Sequence, residues 1–484
     1  MTVEPVSSTF SAEFFPQLVT NGFLEKGDPG EGSGKSFPVI APASGARIGQ
    51  VPEMGAAETR AAIARARASL DHWRGLLPKA RAEILMKWHG LIRRHAADLA
   101  YIIHCEQGKS LQEAGREVVG ALAYVEWYAE EAKRTYGDTI PTTDAKKRMF
   151  STREPLGVVA AITPWNFPLA LVARKCAPAL AAGCTIVLKP SEETPFSAIA
   201  LLDLAARAGL PDGVLNLVFG RAEEIGQALC DSPDVRGLSF TGSTAVGRQL
   251  MSGSAATVKK LSLELGGNAP FIIFDDADVE AALEGLIASK FRNGGQTCVA
   301  ANRIFVHGDI YERFIGRLVA KVMEGGDAGP LINRQAVVKM AGLVEDAQKK
   351  GAVVRCGGRP RSRPGFYFQP TVLSEASPEM ACFDQEIFGP VAALYRFSDE
   401  AEVLELANRG AAGLAAYVYT ESLNRAWRFQ ERLAYGVVGI NVGTTSCESA
   451  PFGGMNQSGL GREGGREGID FYLETKYTCL GVPG

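Results

Sequence analysis

The chain has 484 residues, and its 51 Lys plus Arg against 54 Asp plus Glu leave a net charge of −3. A prior of about 150 residues per domain gives two to four domains, each large enough for its own core. With no block of five like charges, 46% hydrophobic and 22% charged residues, the composition excludes disorder as the main state and does not indicate nucleic acid as a partner.

The nine cysteines are scattered and never form a C-x-x-C pair, so neither a disulfide framework nor a zinc knuckle is indicated, and no metal is expected. Residues 1–20 carry acids but no Lys or Arg, and no apolar run reaches the roughly 18 residues of a membrane span. A cytoplasmic chain without a membrane partner is expected.

From Ala56 to Ala132 the pattern is helical, with Ile63, Leu70, Trp73 and then Ile84, Leu85, Trp88, Leu91, Ile92 at three-to-four spacing. Residues 136–141 and 147–152 read as two polar strands around Thr143-Asp144. Such a ribbon buries little by itself and suits an oligomer arm. Five β-rich runs follow, at 157–162, 184–188, 214–218, 236–240 and 258–263, with helical patterns between them. Strands alternating with helices predict βαβ units and a parallel sheet. A second α/β set has strands predicted at 271–274, 303–307, 352–355, 416–419 and 437–441, the change falling near Gly266-Gly267.

Two glycine motifs mislead. Residues 30–36 resemble a phosphate loop, but Pro29 stands where the motif needs its first glycine, and no apolar strand precedes it. Residues 459–464 spell G-x-G-x-x-G near the C-terminus with no βαβ unit after them, and read as a turn.

The first turn of the alternating sheet, Thr163-Pro164-Trp165-Asn166-Phe167-Pro168, contains no glycine, so dinucleotide phosphates must be held elsewhere. Phe240-Thr241-Gly242-Ser243 runs from a strand into a helix and suits an anion, although a plain Ser N-cap explains it as well. Lys189-Pro190-Ser191-Glu192 ends another strand at the same edge, where a solvated Lys and Glu are the alternative. In Gly294-Gly295-Gln296-Thr297-Cys298 a thiol follows a glycine pair that lets the backbone approach a ligand. A buried, inert cysteine is the alternative there. Glu264 lies in an apolar run before Gly266-Gly267, where desolvation would raise its pKa toward that of a useful base.

These pieces occur in an order that resembles the aldehyde dehydrogenase family: TPWNFP at 163–168, KPSE at 189–192, FTGS at 240–243, ELGG at 264–267, GQTC at 295–298, EIFGP at 386–390 and PFGG at 451–454. Residues 261–271, 289–293 and 458–464 are similar to succinate-semialdehyde dehydrogenases within it. The resemblance implies an α/β fold of two doubly wound parallel-sheet domains plus a small β oligomerisation ribbon. It assigns 1–134 and 154–266, with 448–467 returning, to a dinucleotide domain, 267–447 to a catalytic domain, and 135–153 with 468–484 to an arm that builds a homodimer or homotetramer.

The implied chemistry is oxidation of a short anionic aldehyde, foremost succinate semialdehyde, with sulfolactaldehyde and 2-oxoglutarate semialdehyde as alternatives. Cys298 attacks the carbonyl carbon, the Asn166 amide and the Cys298 N–H hold the oxyanion, and Glu264 activates the water that hydrolyses the thioester. Thr163, Pro164, Trp165, Lys189, Ser191, Glu192, Gly242, Ser243, Gly267, Glu386 and Phe388 match cofactor contacts. Because a carboxylate at Glu192 suits a ribose hydroxyl and repels a 2′-phosphate, NAD is expected over NADP. Arg174 and Arg292 match positions that take the substrate's carboxylate, and the hydroxyls of Thr445 and Ser446 are expected to add hydrogen bonds to the substrate. A cysteine thioesterase, which would use Cys298 and Glu264 without a dinucleotide, is the rival reading, and an idle binding protein on the same fold is another.

Three departures stand out. Ala300 replaces a second cysteine two places after the nucleophile, residues 324–331 form a short connection, and Thr444-Thr445 replace two aliphatic residues.

Overall fold

Ser36–Ile40 (β1) and Arg47–Pro52 (β2) pair as an antiparallel hairpin at the start of the computed structural model, which describes residues 35–482. This hairpin was not anticipated, since neither strand carries enough alternation to mark a buried face. Residues 30–34 of the phosphate-loop look-alike lie outside the described residues, and Ser36 opens β1.

The helical pattern of 56–132 resolves into four helices, Ala56–Gly75, Pro78–Arg94, Ala96–Gln107 and Leu111–Glu131. The breaks follow local chemistry: Pro78 sits at a helix start, where its missing N–H costs nothing, and the Ser110 hydroxyl caps the fourth helix at the Glu113 N–H. Trp73 and Trp88 are fully buried in the core these helices share with the first sheet.

Thr139–Ile140 (β3) and Lys147–Pro155 (β4) form the expected ribbon, completed by Leu473–Gly481 (β18) in the order β18-β4-β3. Next come Val158–Ile162 (β5), Thr185–Lys189 (β6), Leu215–Leu217 (β7), Val235–Thr241 (β8) and Lys260–Glu264 (β9). They lie in the order β9-β8-β5-β6-β7, all parallel, with helices as crossovers. β9 starts two residues later than predicted, because Val258 is exposed and left-handed (φ 50°).

The second sheet contains Ala269–Ile273 (β10), Ala301–His307 (β11), Val353–Cys356 (β12), Thr371–Ser374 (β13), Val391–Phe397 (β14), Ala415–Tyr419 (β15) and Val437–Ile440 (β16). Its order is β12-β13-β14-β11-β10-β15-β16, parallel except at the β12 edge. Phe271 and Ile273 enter the core on one face while Ile272 and Phe274 enter the core on the other, as strand alternation requires. β13 and β14 went unread: Val-Ala-Ala-Leu-Tyr is a continuous apolar run, which periodicity cannot tell from a buried helix.

Gly459–Leu460 (β17) pairs antiparallel with Leu263 and Glu264, so the second glycine motif is an edge strand leading into a turn. No described helix is long and apolar enough to cross a membrane.

Candidate active site

Strand register alone assembles the site. Ile162 lies beside both Lys189 and Phe240, and Thr241 beside Glu264, so the C-terminal ends of β5, β6, β8 and β9 stand in one row. The chain leaves that row through Gly266-Gly267 and begins β10 at Ala269, which brings the N-terminal edge of the second sheet against it. Between the two edges lies a cavity of about 510 Å³, within the range of small-molecule sites. Cys298, Glu264, Asn166, Pro164, Trp165, Gly242, Ser243, Glu386, Phe388, Arg174, Arg292 and Ser446 all line it.

Cys298 is presented by a strained loop. Asn293, Gly294 and Gly295 follow one another in left-handed conformation (φ 53°, 64° and 75°), and a Cβ on Gly295 would sit 2.2 Å from the Gly389 carbonyl oxygen. Gly267 passes so close to Cys298 that a Cβ there would meet the Cys298 carbonyl oxygen at 2.4 Å. Burial pushes the Cys298 thiol up to about 12, Glu386 and Glu264 add to the rise, and Arg174 and Arg292 oppose it. Ala300, two residues on, is buried.

Glu264 ends β9 facing the cavity, and neither of its buried carboxyl oxygens has a hydrogen-bond partner. Burial holds this carboxyl well above the usual range, reinforced by Glu463 and opposed by Lys175 and Arg174. Lys175 is fully buried, donating to Glu463 Oε1 at 2.5 Å and Ser239 Oγ at 2.8 Å. Sequence reading passed over Lys175 and Glu463, because one sits in an apolar helix and the other in the glycine-rich turn set aside as a look-alike. The Asn166 side chain is buried, its Nδ2 donating to the Gln296 carbonyl at 3.1 Å, in the loop that carries Cys298.

The edge beyond Cys298 fits a dinucleotide. Ser243 does cap the helix Thr244–Ser254, accepting from the Val246 N–H at 3.3 Å, and with Thr241 and Gly242 it lines the cavity at the head of that helix. Thr163 and Thr241 have buried hydroxyls without hydrogen-bond partners at the same edge. Lys189, Ser191 and Glu192 stand at the end of β6 just outside the cavity lining, with Lys189 in an ion pair to Glu192 and also 3.4 Å from the Pro190 carbonyl. Glu386 accepts from the Gly267 N–H at 3.2 Å, and burial raises its carboxyl to about 7. Phe388 is held left-handed (φ 55°) with its ring 5.5 Å from that of Trp165, edge to face.

At the opposite end the guanidinium of Arg174 lies between the rings of Tyr124 (4.8 Å) and Phe452 (4.6 Å), 4.0 Å from Glu463, with its buried Nε unpartnered. Arg292 lies 5.5 Å from the Phe167 ring. Arg116, missed from sequence, also lines the cavity. Thr445 does not. Its methyl packs toward Gly439, while Ser446 lines the cavity.

A cysteine, a buried carboxyl and an amide meet in one cavity between two α/β sheets, and the aldehyde dehydrogenase family model matches residues 30–478. The chain belongs to that family, whose members are oxidoreductases, and this sets aside the thioesterase and idle-protein readings. It is 53% identical over 459 residues to succinate-semialdehyde dehydrogenase [NADP(+)] GabD of Escherichia coli, covering 93% of this chain and 95% of that protein. It is 51% identical over 458 residues to 3-sulfolactaldehyde dehydrogenase of Pseudomonas putida, covering 93% of this chain and 94% of that protein. The crystal structure of succinate-semialdehyde dehydrogenase from Burkholderia pseudomallei matches with a TM-score of 0.91 at 53% identity, covering 93% of this chain and 95% of that one.

Proposed function

We propose that the protein oxidises a short anionic aldehyde, foremost succinate semialdehyde, to the acid. The observation that carries this reading is the convergence of Cys298, Glu264 and Asn166 with Arg174 and Arg292 on one cavity. The Cys298 thiolate adds to the aldehyde carbon, and the oxyanion is held by the Asn166 amide and the Cys298 N–H. The bound dinucleotide supplies the acceptor for hydride from that carbon. Glu264 then takes a proton from water as the water attacks the thioester, and the acid leaves with the thiol restored. The six-stranded sheet carries the dinucleotide, the seven-stranded sheet the nucleophile, and the β18-β4-β3 ribbon joins copies into a dimer or tetramer. An aldehyde panel tests the substrate: succinate semialdehyde should give the highest kcat/KM, and a neutral aldehyde of similar length reacting as well would overturn the anion assignment. The relative named for sulfolactaldehyde and the hydroxyl of Ser446 in the lining keep a sulfonated aldehyde as the second reading.

The cofactor is NAD or NADP, and here the structure changes the weight of Glu192. Its carboxylate is not free but paired with Lys189, which offsets its repulsion of a 2′-phosphate. NADP should therefore be used, in keeping with the name of the E. coli relative. Glu192→Gln should raise kcat/KM for NADP relative to NAD by several-fold, because the remaining Lys189 would attract phosphate and the hydroxyl acceptor would be weakened. An unchanged ratio would remove Glu192 from cofactor selection.

A further inference from the structure

Residues 163–169 link β5 to the helix Ala170–Ala182 without regular structure, and Pro164 and Pro168 contribute no N–H. Asn166 is therefore placed from outside its own segment. Its carbonyl oxygen accepts from Lys109 Nζ at 2.8 Å and from Asn293 Nδ2 at 3.0 Å. Lys109 in turn binds Glu117 Oε2 at 2.5 Å, and both side chains are almost wholly buried. The other oxygen of Glu117 accepts from the Leu169 and Ala170 N–H groups at 2.8 and 3.2 Å, where the next helix begins. Glu113, one turn before Glu117, accepts from the Asn293 N–H at 2.7 Å. Two glutamates at i and i+4 on one helix face repel each other. Here each is committed to a different loop of the active site.

We propose that the buried Lys109–Glu117 pair is a positioning element for the oxyanion-binding amide of Asn166, gripping the Asn166 carbonyl on one side and the helix start on the other. The proposal rests on the reading of Asn166 as the oxyanion donor. Lys109 is one of the groups around the cavity, yet its ammonium is spent on Glu117 and the Asn166 carbonyl rather than offered to substrate. Its effect passes through the orientation of one amide, so it belongs to kcat and not to substrate affinity. A positioning error of about 1 Å costs on the order of a hundredfold in rate.

The test is a double-mutant cycle in the full-length enzyme. Lys109→Met alone would strand a buried carboxylate and risks failing to fold, so the informative variant is Lys109→Met/Glu117→Gln. It is neutral overall, and the glutamine oxygen can still accept from Leu169 and Ala170. We expect its thermal midpoint to stay near that of the parent while kcat falls about 10- to 100-fold and KM for aldehyde and cofactor moves less than about twofold. Asn166→Ala alone should cost about 100- to 1000-fold. Added to Asn166→Ala, the pair substitution should cost nothing further, because the amide it positions is gone. Multiplicative losses in the combined variant, or a fall in kcat/KM carried by KM, would overturn the positioning role while leaving Asn166 in place. If Asn166→Ala keeps full kcat, the oxyanion assignment fails and the proposal falls with it.

Discussion

Glu264→Gln should release a burst of about one equivalent of reduced cofactor per site and then stall with an acyl group on Cys298. The Glu264 carboxyl is buried, faces the cavity and has no hydrogen-bond partner. A group so placed is costly to keep unless the reaction uses it. Losing a positioned general base slows its step by about 10²- to 10⁴-fold, so turnover should fall by that factor while the burst survives. Because burial and Glu463 hold this carboxyl well above its usual range, it is protonated at low pH and must ionise to accept a proton from water. Parent turnover should accordingly rise with pH through a group titrating above ordinary carboxylates, and the Gln variant should lose that limb. The same substitution tests what activates the thiol. Glu264 is one of the charges that push the Cys298 thiol up. If that is its only influence, Glu264→Gln should speed alkylation of Cys298 by iodoacetamide at fixed pH. Slower alkylation, with burst and mass-trapped acyl-enzyme both absent, would mean that Glu264 serves the thiol and not the water.

The legible parts of this site were those whose chemistry depends on local backbone. Gly294-Gly295 before Cys298, Gly266-Gly267 after Glu264 and Gly242-Ser243 at a strand-to-helix turn announce close approach or an anion site from sequence alone. The anion-site and cap readings of Ser243 are compatible, since it caps its helix and lines the cavity at once. What stayed hidden is non-local. Lys175 meets Glu463 across 288 positions, and Lys109 reaches the Asn166 carbonyl across 57. A lysine inside an apolar helix signals something buried and paired, which was the available clue, but its partner is set by sheet order rather than spacing. Glu463 was obscured for the opposite reason. Its glycine-rich surroundings resembled a phosphate motif, whereas β17 uses them to lie along Glu264. The fold was read in the same uneven way: βαβ spacing exposed the first sheet, while β13 and β14, short or continuously apolar, gave no period to follow.

Arg292→Ala should lower kcat/KM for succinate semialdehyde by some tens to a few thousand fold while changing that for propanal little. Truncating a desolvated charge-assisted contact costs about 2 to 5 kcal/mol, and a guanidinium matches a carboxylate or sulfonate in a planar, two-bond geometry. Arg174→Ala should show the same discrimination less cleanly, and the structure explains the difference. Arg174 is packed between Tyr124 and Phe452, so its loss leaves a void as well as a missing charge. It also helps hold the Glu264 carboxyl down, so removing it should drive that pKa higher and slow hydrolysis of any acyl group, propanoyl included. Arg292 does not share that burden: it lies near the Phe167 ring and lowers the Cys298 thiol pKa, whereas of the two arginines Arg174 is the one that lowers that of Glu264. Its removal should raise the thiol pKa somewhat, a penalty common to all aldehydes that comparison with propanal cancels. In either single variant the other lining guanidinium can still meet the anion, so the double arginine variant should lose nearly all preference for acidic aldehydes. Measured with a carboxylate, a sulfonate and a neutral aldehyde of matched length, equal losses on all three would show that the arginines support the scaffold alone. A loss confined to the two anions would place the substrate's charge between them.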